Sequence, residues 1–276
     1  MGRLLVVLTL CFALFGCTTV NALSVAPFAI PNERFAAIVV DARTGEVLHE
    51  TRADAIRYPA SLAKMMTMYL LFDTVRTRRL SRDDTITISA NAAGKPASKL
   101  YMKPGETITI DKAIEALAVK SANDVATAVA EFVSGSERAF AARMTAKARA
   151  LGMKDTVFRN ASGLPDDGMV TTARDMAKLA VALRRDFPQY QPYFRLREFV
   201  YNGKTIRGHN RVLGRLKGAD GLKTGYTRAA GFNLATSLRL RGKDIVGVIL
   251  GEDTWRERDQ HMVDLIVQYV PAASMN

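Results

Sequence analysis

Hydrophobic and polar positions follow two different periods along the chain, and the change of period divides it into three parts. Residues 35–50 read as two short strands joined by a turn at residues 43–45. The middle of the chain is mainly helical in pattern, and strands return near residue 197, with a hairpin turning at residues 241–243. Hairpins on both sides of central helices predict an α+β fold with one antiparallel sheet in which the first and last strands meet.

The helical patterns have recognisable ends. Residues 61–72 are apolar nearly all round, which predicts a buried helix. Two further helices are predicted on either side of a break at residues 121–124, the second ending at Gly135. Thr172 with Asp175 forms a capping pattern that starts another helix. The last helix carries an apolar side, so we expect it to pack on the core rather than to anchor the chain in a membrane.

The first residues are typical of a secretory leader. Arg3 precedes an apolar run over residues 4–16 that is too short to span a bilayer comfortably, and small residues follow near Ala22. We therefore predict a signal peptide over residues 1–22, export to the periplasm or cell envelope, and a single mature domain over residues 23–276. Lipid attachment at Cys17 is the alternative, so membrane attachment stays open. Both cysteines, Cys11 and Cys17, lie in the leader, so no disulfide is expected.

Charge and histidine spacing limit the possible partners. The chain carries a net charge of +12, which suits an anionic neighbourhood such as a cell wall or lipid headgroups. Neither zinc-finger spacing nor an aromatic ribonucleoprotein motif is present, so no nucleic acid partner is expected. His49, His209 and His261 lack metal-ligand spacing, and we expect neither a metal nor another cofactor.

Three short motifs carry candidate chemistry: Ser61-x-x-Lys64, Ser121-x-Asn123 and Lys-Thr-Gly at residues 223–225. Residues three apart on a helix are neighbours, so the Ser61 hydroxyl and the Lys64 amine should meet. A serine hydroxyl is a poor nucleophile unless a base takes its proton. Lysine, with an ordinary pKa near 10.4, can be that base only if burial and a second nearby cation lower its pKa.

In this order, the three motifs resemble those of the penicillin-binding proteins and serine β-lactamases. The segments "KSANDVATAVAE" and "FRNASGLPDDGMVTTARDMAKLA" resemble more closely the low-molecular-weight D-alanyl-D-alanine carboxypeptidases, over residues 34–268. The resemblance implies a β-lactamase/transpeptidase-like fold, an antiparallel sheet flanked by helices with a mostly helical lobe. It also implies one D,D-peptidase catalytic domain, without the second β-rich domain of many members. The expected substrate is the peptidoglycan stem peptide ending in D-Ala-D-Ala, and β-lactam antibiotics are expected covalent inhibitors.

The resemblance also implies the roles of the site residues. Ser61 would be the nucleophile, Lys64 its base, and Ser121 the relay of a proton to the leaving amine. Backbone N–H groups of Ser61 and Tyr226 would form the oxyanion hole.

Four further residues would bind the substrate. Asn123 would hold a substrate amide or Lys64, and Lys223 with Thr224 would grip the terminal carboxylate. Gly225 would let the substrate backbone approach the strand. Lys120 and Arg211 receive no role from the sequence.

Three alternatives remain at this point. The chain could be a D,D-endopeptidase that cuts crosslinks, a serine β-lactamase, or a wall-binding protein without catalysis. The spacing from Glu198 to Asn202 matches a β-lactamase element whose glutamate activates water. This segment alternates like a strand, however, and we assign Glu198 no catalytic role.

Overall fold

The computed structural model describes residues 32–275. The predicted signal peptide over residues 1–22, with Cys11 and Cys17, lies outside the described residues. Between residues 32 and 275, no helix is both long and apolar enough to cross a bilayer.

The strands form one central sheet and two small hairpins. The antiparallel central sheet has the order β2-β1-β9-β8-β7, β3 pairs with β4, and β5 pairs with β6. The strands are Ala36–Asp41 (β1), Val47–Thr51 (β2), Thr85–Thr87 (β3), Thr107–Thr109 (β4), Glu198–Tyr201 (β5), Lys204–Arg207 (β6), Ala219–Thr227 (β7), Gly231–Leu240 (β8) and Lys243–Glu252 (β9). The pairing of β1 with β9 confirms that the first and last parts of the chain meet in one sheet.

Helices cover both faces of this sheet. They are Lys64–Arg78 (α1), Ala90–Ala93 (α2), Ile110–Glu115 (α3), Asn123–Ser134 (α4), Glu137–Ala150 (α5), Ala173–Asp186 (α6), Gln191–Phe194 (α7) and Trp255–Tyr269 (α8). Successive side chains of a strand point to opposite faces. Ile38 and Val40 therefore join the core around α1, α4 and α6, whereas Ala37 and Val39 join the core beneath α8. Burial on both faces explains the unbroken apolar run of β1.

Several local predictions are confirmed. The Thr172 hydroxyl accepts a hydrogen bond from the Asp175 N–H at 3.1 Å and caps α6. The helical pattern breaks at Ser121, and α4 ends before Gly135. Glu198 is an exposed residue of strand β5 that pairs with Arg207, as its alternating pattern indicated.

The start of the buried helix differs from the predicted one. Ala60–Ala63 form a 3₁₀ turn, and the α-helix begins only at Lys64. Ala60 has a left-handed φ of 47°, which breaks the helical path just before Ser61. Ser61 therefore lies ahead of α1, and every residue of α1 from Lys64 to Phe72 is buried.

Candidate active site

Ser61 and Lys64 are brought together by the 3₁₀ turn at the start of α1. A 3₁₀ helix has three residues per turn, so side chains at i and i+3 lie directly above one another. Lys64 Nζ lies 3.2 Å from Ser61 Oγ. Lys64 has no solvent exposure, whereas Ser61 lines an open cavity. A buried amine therefore contacts a reachable hydroxyl.

Two distant segments complete the surroundings of the Lys64 amine. Its Nζ donates to Asn123 Oδ1 at 2.8 Å and to the Ser162 carbonyl oxygen at 2.5 Å. Asn123 Nδ2 donates to the Pro96 carbonyl oxygen at 2.9 Å. A carbonyl can only accept, so this bond orients the Asn123 amide with its oxygen towards Lys64. Of the two roles offered for Asn123 by the sequence, the structure shows the contact with Lys64.

The loop that supplies the Ser162 carbonyl is fixed against the same helix. Thr67 Oγ1 donates to the Ala161 carbonyl oxygen at 2.6 Å. Gly163 has a φ of 80°, and a Cβ there would lie 1.8 Å from the Ala60 carbonyl oxygen. Only glycine permits this approach, so the loop is held against the turn that carries Ser61.

Both lysines of the site have lowered pKa values. Burial lowers the pKa of Lys64 well below its ordinary value, and the like charge of Lys223 lowers it further. The carboxylates of Asp124 and Glu137 oppose this shift without cancelling it. Burial, with a smaller effect of Arg258, lowers the pKa of Lys223 to about 7. Burial and the charge of Lys223 therefore favour the neutral form of Lys64, which a general base requires.

The lowered pKa of Lys223 gives a prediction for stability. The unfolded chain has the ordinary pKa of 10.5, so the folded protein binds fewer protons between pH 7 and pH 10.5. The free energy of unfolding is lowered by the cost of burying a charged Lys223. This cost is on the order of a few kcal/mol and complete below pH 7, and it disappears as the pH rises through 10.5. Lys223→Met should therefore raise the free energy of unfolding at pH 6 and change it much less at pH 10.5, measured by urea denaturation.

The exposed Lys243 provides the matched control. Lys243→Met should show no comparable dependence on pH, because an exposed ammonium keeps its water in the folded state. A Lys223→Met variant that is less stable than wild type at pH 6 would contradict the prediction.

Ser121 is held in a strained backbone conformation with an unpaired hydroxyl. It follows the π-helical turn Ala116–Lys120 and has a left-handed φ of 62°. Its Oγ is buried without a hydrogen-bond partner among the described residues, although Ser121 lines the same cavity as Ser61. A strained residue with an unused polar group at a cavity is typical of a functional site.

Strand β7 lines the same cavity through residues 224–227, and Gly225 allows it to approach Ser61. A Cβ at Gly225 would lie 3.0 Å from the Ser61 backbone nitrogen and 3.3 Å from Ala60 Cβ. β7 is the outermost strand of the sheet, so alternate N–H and C=O groups point away from β8. The Tyr226 ring stacks on Phe232 with centroids 4.2 Å apart.

Most of the predicted site residues line one cavity of about 550 Å³; they are Ser61, Ser121, Asn123, Thr224, Gly225 and Tyr226. Lys64 and Lys223 do not line this cavity; both are buried, and Lys64 contacts Ser61, which lines it. Lys223 Nζ donates to the Thr224 carbonyl oxygen at 2.7 Å and is therefore directly behind Thr224.

The structure adds cavity residues that the sequence analysis did not assign, namely Ser162, His209, Arg211, Trp255 and Arg258. The contribution of Ser162 to Lys64 is a backbone carbonyl, which side-chain motifs do not report. The other four come from the segment before β7 and from the start of α8. The sequence offered one signal for these cavity residues, namely that Trp255 is the single tryptophan of the chain. Within residues 32–275, no three histidine, cysteine, aspartate or glutamate side chains are grouped to hold a metal ion.

The fold and the serine–lysine pair together define the class. An antiparallel sheet covered by helices, with Ser61 and Lys64 at the start of a buried helix, is the arrangement of the penicillin-recognising serine enzymes. The chain belongs to the D-alanyl-D-alanine carboxypeptidase family, peptidase family S11, whose family model matches residues 26–254. Both the family resemblance and the predicted fold class are thereby confirmed.

Individual relatives agree with this membership. The chain is 35% identical to D-alanyl-D-alanine carboxypeptidase DacA of Escherichia coli (strain K12), over 83% of this chain and 59% of that protein. It thus spans about three fifths of that relative. Penicillin-binding protein 5 of Haemophilus influenzae has a similar structure, with a TM-score of 0.82, 27% identity and coverage of 88% and 72%. Ampicillin-bound penicillin-binding protein D2 of Listeria monocytogenes gives a TM-score of 0.76, 30% identity and coverage of 84% and 94%.

Proposed function

We propose that the chain is a serine-type D-alanyl-D-alanine carboxypeptidase that removes the terminal D-Ala from peptidoglycan pentapeptide stems. The observation that supports this most is the position of the Lys64 amine. It is fully buried, it lies 3.2 Å from the hydroxyl of Ser61, and its other two partners can only accept hydrogen bonds.

The partners of Lys64 suit a neutral amine. A neutral amine has two N–H groups and one lone pair. The N–H groups would donate to Asn123 Oδ1 and the Ser162 carbonyl, leaving the lone pair to accept the Ser61 hydroxyl proton. As Ser61 Oγ attacks the carbonyl carbon of the D-Ala-D-Ala peptide bond, that proton moves to Lys64 Nζ. The tetrahedral oxyanion would be held by the backbone N–H groups of Ser61 and Tyr226.

Breakdown of this intermediate requires a proton on the leaving nitrogen. The unpaired Ser121 hydroxyl, in the same cavity, would pass the proton from Lys64 to the amine of the departing D-Ala. The C–N bond breaks, free D-Ala leaves, and the remaining peptide is an ester of Ser61. Attack by water then releases the shortened stem and restores the Ser61 hydroxyl.

The substrate carboxylate needs positive charge and hydroxyl groups at the other end of the cavity. Thr224 offers a hydroxyl, and Lys223 adds its charge from directly behind it. Arg211 lines the same cavity. We propose that Thr224, Lys223 and Arg211 together bind the terminal carboxylate, and that the carboxylate of a penicillin occupies the same place when Ser61 is acylated.

We also propose that the chain acts outside the cytoplasm as one catalytic domain over residues 23–276, after removal of residues 1–22. The side chains assigned to the site all lie within the described residues and surround one cavity. Attachment through Cys17 is the alternative to a freely exported protein.

The proposal predicts two products from the chain lacking residues 1–22. Incubation with a pentapeptide stem should release D-Ala and leave a tetrapeptide, and penicillin should form a covalent adduct; both are measured by mass spectrometry. Cleavage of crosslinked fragments without release of D-Ala would favour an endopeptidase, and rapid hydrolysis of penicillin a β-lactamase. Absence of adduct and products would reject catalysis.

A further inference from the structure

Arg211 differs from the other cations of the cavity because its charge and its donors are uncompensated. Arg258 directs Nε and Nη2 to Asp259 Oδ1, at 2.9 and 2.6 Å, and Nη1 to the Asn233 carbonyl. Lys223 is buried and donates to the Thr224 carbonyl. The Arg211 guanidinium has neither an ion pair nor a hydrogen bond with any residue in the range 32–275. It is therefore the cavity cation that is available to an incoming anion.

Within residues 32–275, the Arg211 guanidinium is in contact with an aromatic face. Its central carbon lies 3.8 Å from the centroid of the Trp255 ring, and both residues line the cavity. Such a contact attracts the cation through the ring quadrupole and uses none of the five N–H donors. The ring therefore restricts a long, exposed side chain while leaving the edge of its guanidinium free for a carboxylate.

Trp255 is itself well placed to hold Arg211. It is the first residue of α8, whose N-terminus is capped by Thr254 accepting from the Glu257 N–H at 3.1 Å. Arg211 begins the 3₁₀ turn Arg211–Gly214, in the segment that precedes β7. The contact thus joins the segment before β7 to the start of α8. Arg256 also lies over this ring, at 4.6 Å, but does not line the cavity.

We propose that Trp255 is a positioning residue that fixes the Arg211 guanidinium as the receptor for the terminal carboxylate of the substrate. This inference rests on the proposed carboxypeptidase function, since it assigns how that reaction recognises a free chain end. Trp255 does not touch the reacting atoms in this assignment. It acts by restricting the Arg211 side chain beforehand, so that Arg211 loses less conformational entropy when the carboxylate binds.

The test compares substrates that end in D-Ala-D-Ala carboxylate with the matching C-terminal carboxamides. Trp255→Leu should raise KM for the carboxylate about three- to thirty-fold, the span from an exposed to a desolvated cation–π contact, with kcat changed less than about twofold. The preference for carboxylate over carboxamide should fall by the same factor. A purely structural role would instead lower activity on both substrates equally and lower the thermal midpoint of unfolding.

Three variants make the comparison specific. Arg256→Gln removes the other cation over the ring and should leave KM unchanged. Trp255→Phe keeps an aromatic face and should recover part of the lost affinity. In the Arg211→Gln background, Trp255→Leu should add almost nothing, because the two residues act as a unit.

The outcomes separate this inference from the proposed function. Additive effects of the two substitutions, or an unchanged KM in Trp255→Leu, would overturn the role of Trp255 while leaving the carboxypeptidase proposal intact. A wild-type protein that releases no D-Ala but is acylated by penicillin would reject the carboxypeptidase. The same variants would then be compared by their rate of acylation by penicillin, which also carries a carboxylate. Trp255→Leu should lower this rate by the same three- to thirty-fold, and equal rates would reject the role of Trp255. No turnover and no acylation in wild type would reject both.

Discussion

Replacing Ser61 with alanine is expected to abolish the penicillin adduct and to reduce release of D-Ala by about 10³-fold or more. The substitution removes the hydroxyl that lies 3.2 Å from the Lys64 amine. Without it, no ester can form between the enzyme and the stem peptide. Intact-mass measurement after incubation with penicillin, and quantification of released D-Ala, check the two parts of this prediction.

The fold of the Ser61→Ala variant should be unchanged. The Ser61 hydroxyl is hydrogen-bonded to Lys64, and loss of this bond should change the free energy of unfolding by about 1 kcal/mol or less. Ser134, the last residue of α4, provides a control, because Ser134→Ala should remain fully acylated. A penicillin adduct on a different residue of Ser61→Ala would place the nucleophile elsewhere.

Lys64→Met is expected to lower turnover by about 10²- to 10⁴-fold, the usual contribution of a general base. Methionine fills much of the same volume but has no lone pair basic enough to take the Ser61 proton. The acylation rate with penicillin and kcat for D-Ala release should fall together, since both need the same deprotonated hydroxyl. Stopped-flow acylation and steady-state kinetics measure these two quantities.

Two further substitutions separate a base from a mere positive charge. Lys64→Arg keeps a cation and should be as inactive as Lys64→Met, because the guanidinium cannot lose its proton. Lys120→Met, next to Ser121 in the chain, should stay within about tenfold of wild type. Substantial activity in Lys64→Arg would show that the residue acts through its charge rather than as a base.

The pH dependence should follow the direction of the pKa shifts. Activity requires neutral Lys64, and both burial and the charge of Lys223 lower its pKa. Activity should therefore decline as the pH falls through the lowered pKa of Lys64. The charge of Lys223 contributes to this lowering, so the protonation of Lys223 also affects the acid limb of the profile.

Local physical rules were enough to predict the elements and half of the site. The first strand, the capping bond of Thr172 and the turn at residues 241–243 involve neighbours in the chain, and each was confirmed. The contact between Ser61 and Lys64 is of the same kind, because residues three apart meet in either an α- or a 3₁₀-helix. Even so, the left-handed Ala60 and the resulting 3₁₀ turn were not predictable, since alanine does not ordinarily favour that conformation.

The sequence by itself therefore determined the order of helices and strands, the family and the identity of the serine and lysine. Only the tertiary structure decided the environment that makes this pair reactive. The burial of Lys64, its bonds to Asn123 and Ser162, and the like charge of Lys223 join segments up to 159 positions apart in the chain. The Arg211–Trp255 contact arises in the same way. Such contacts depend on how the sheet and its helices pack, and no local period or propensity specifies which distant side chains will meet.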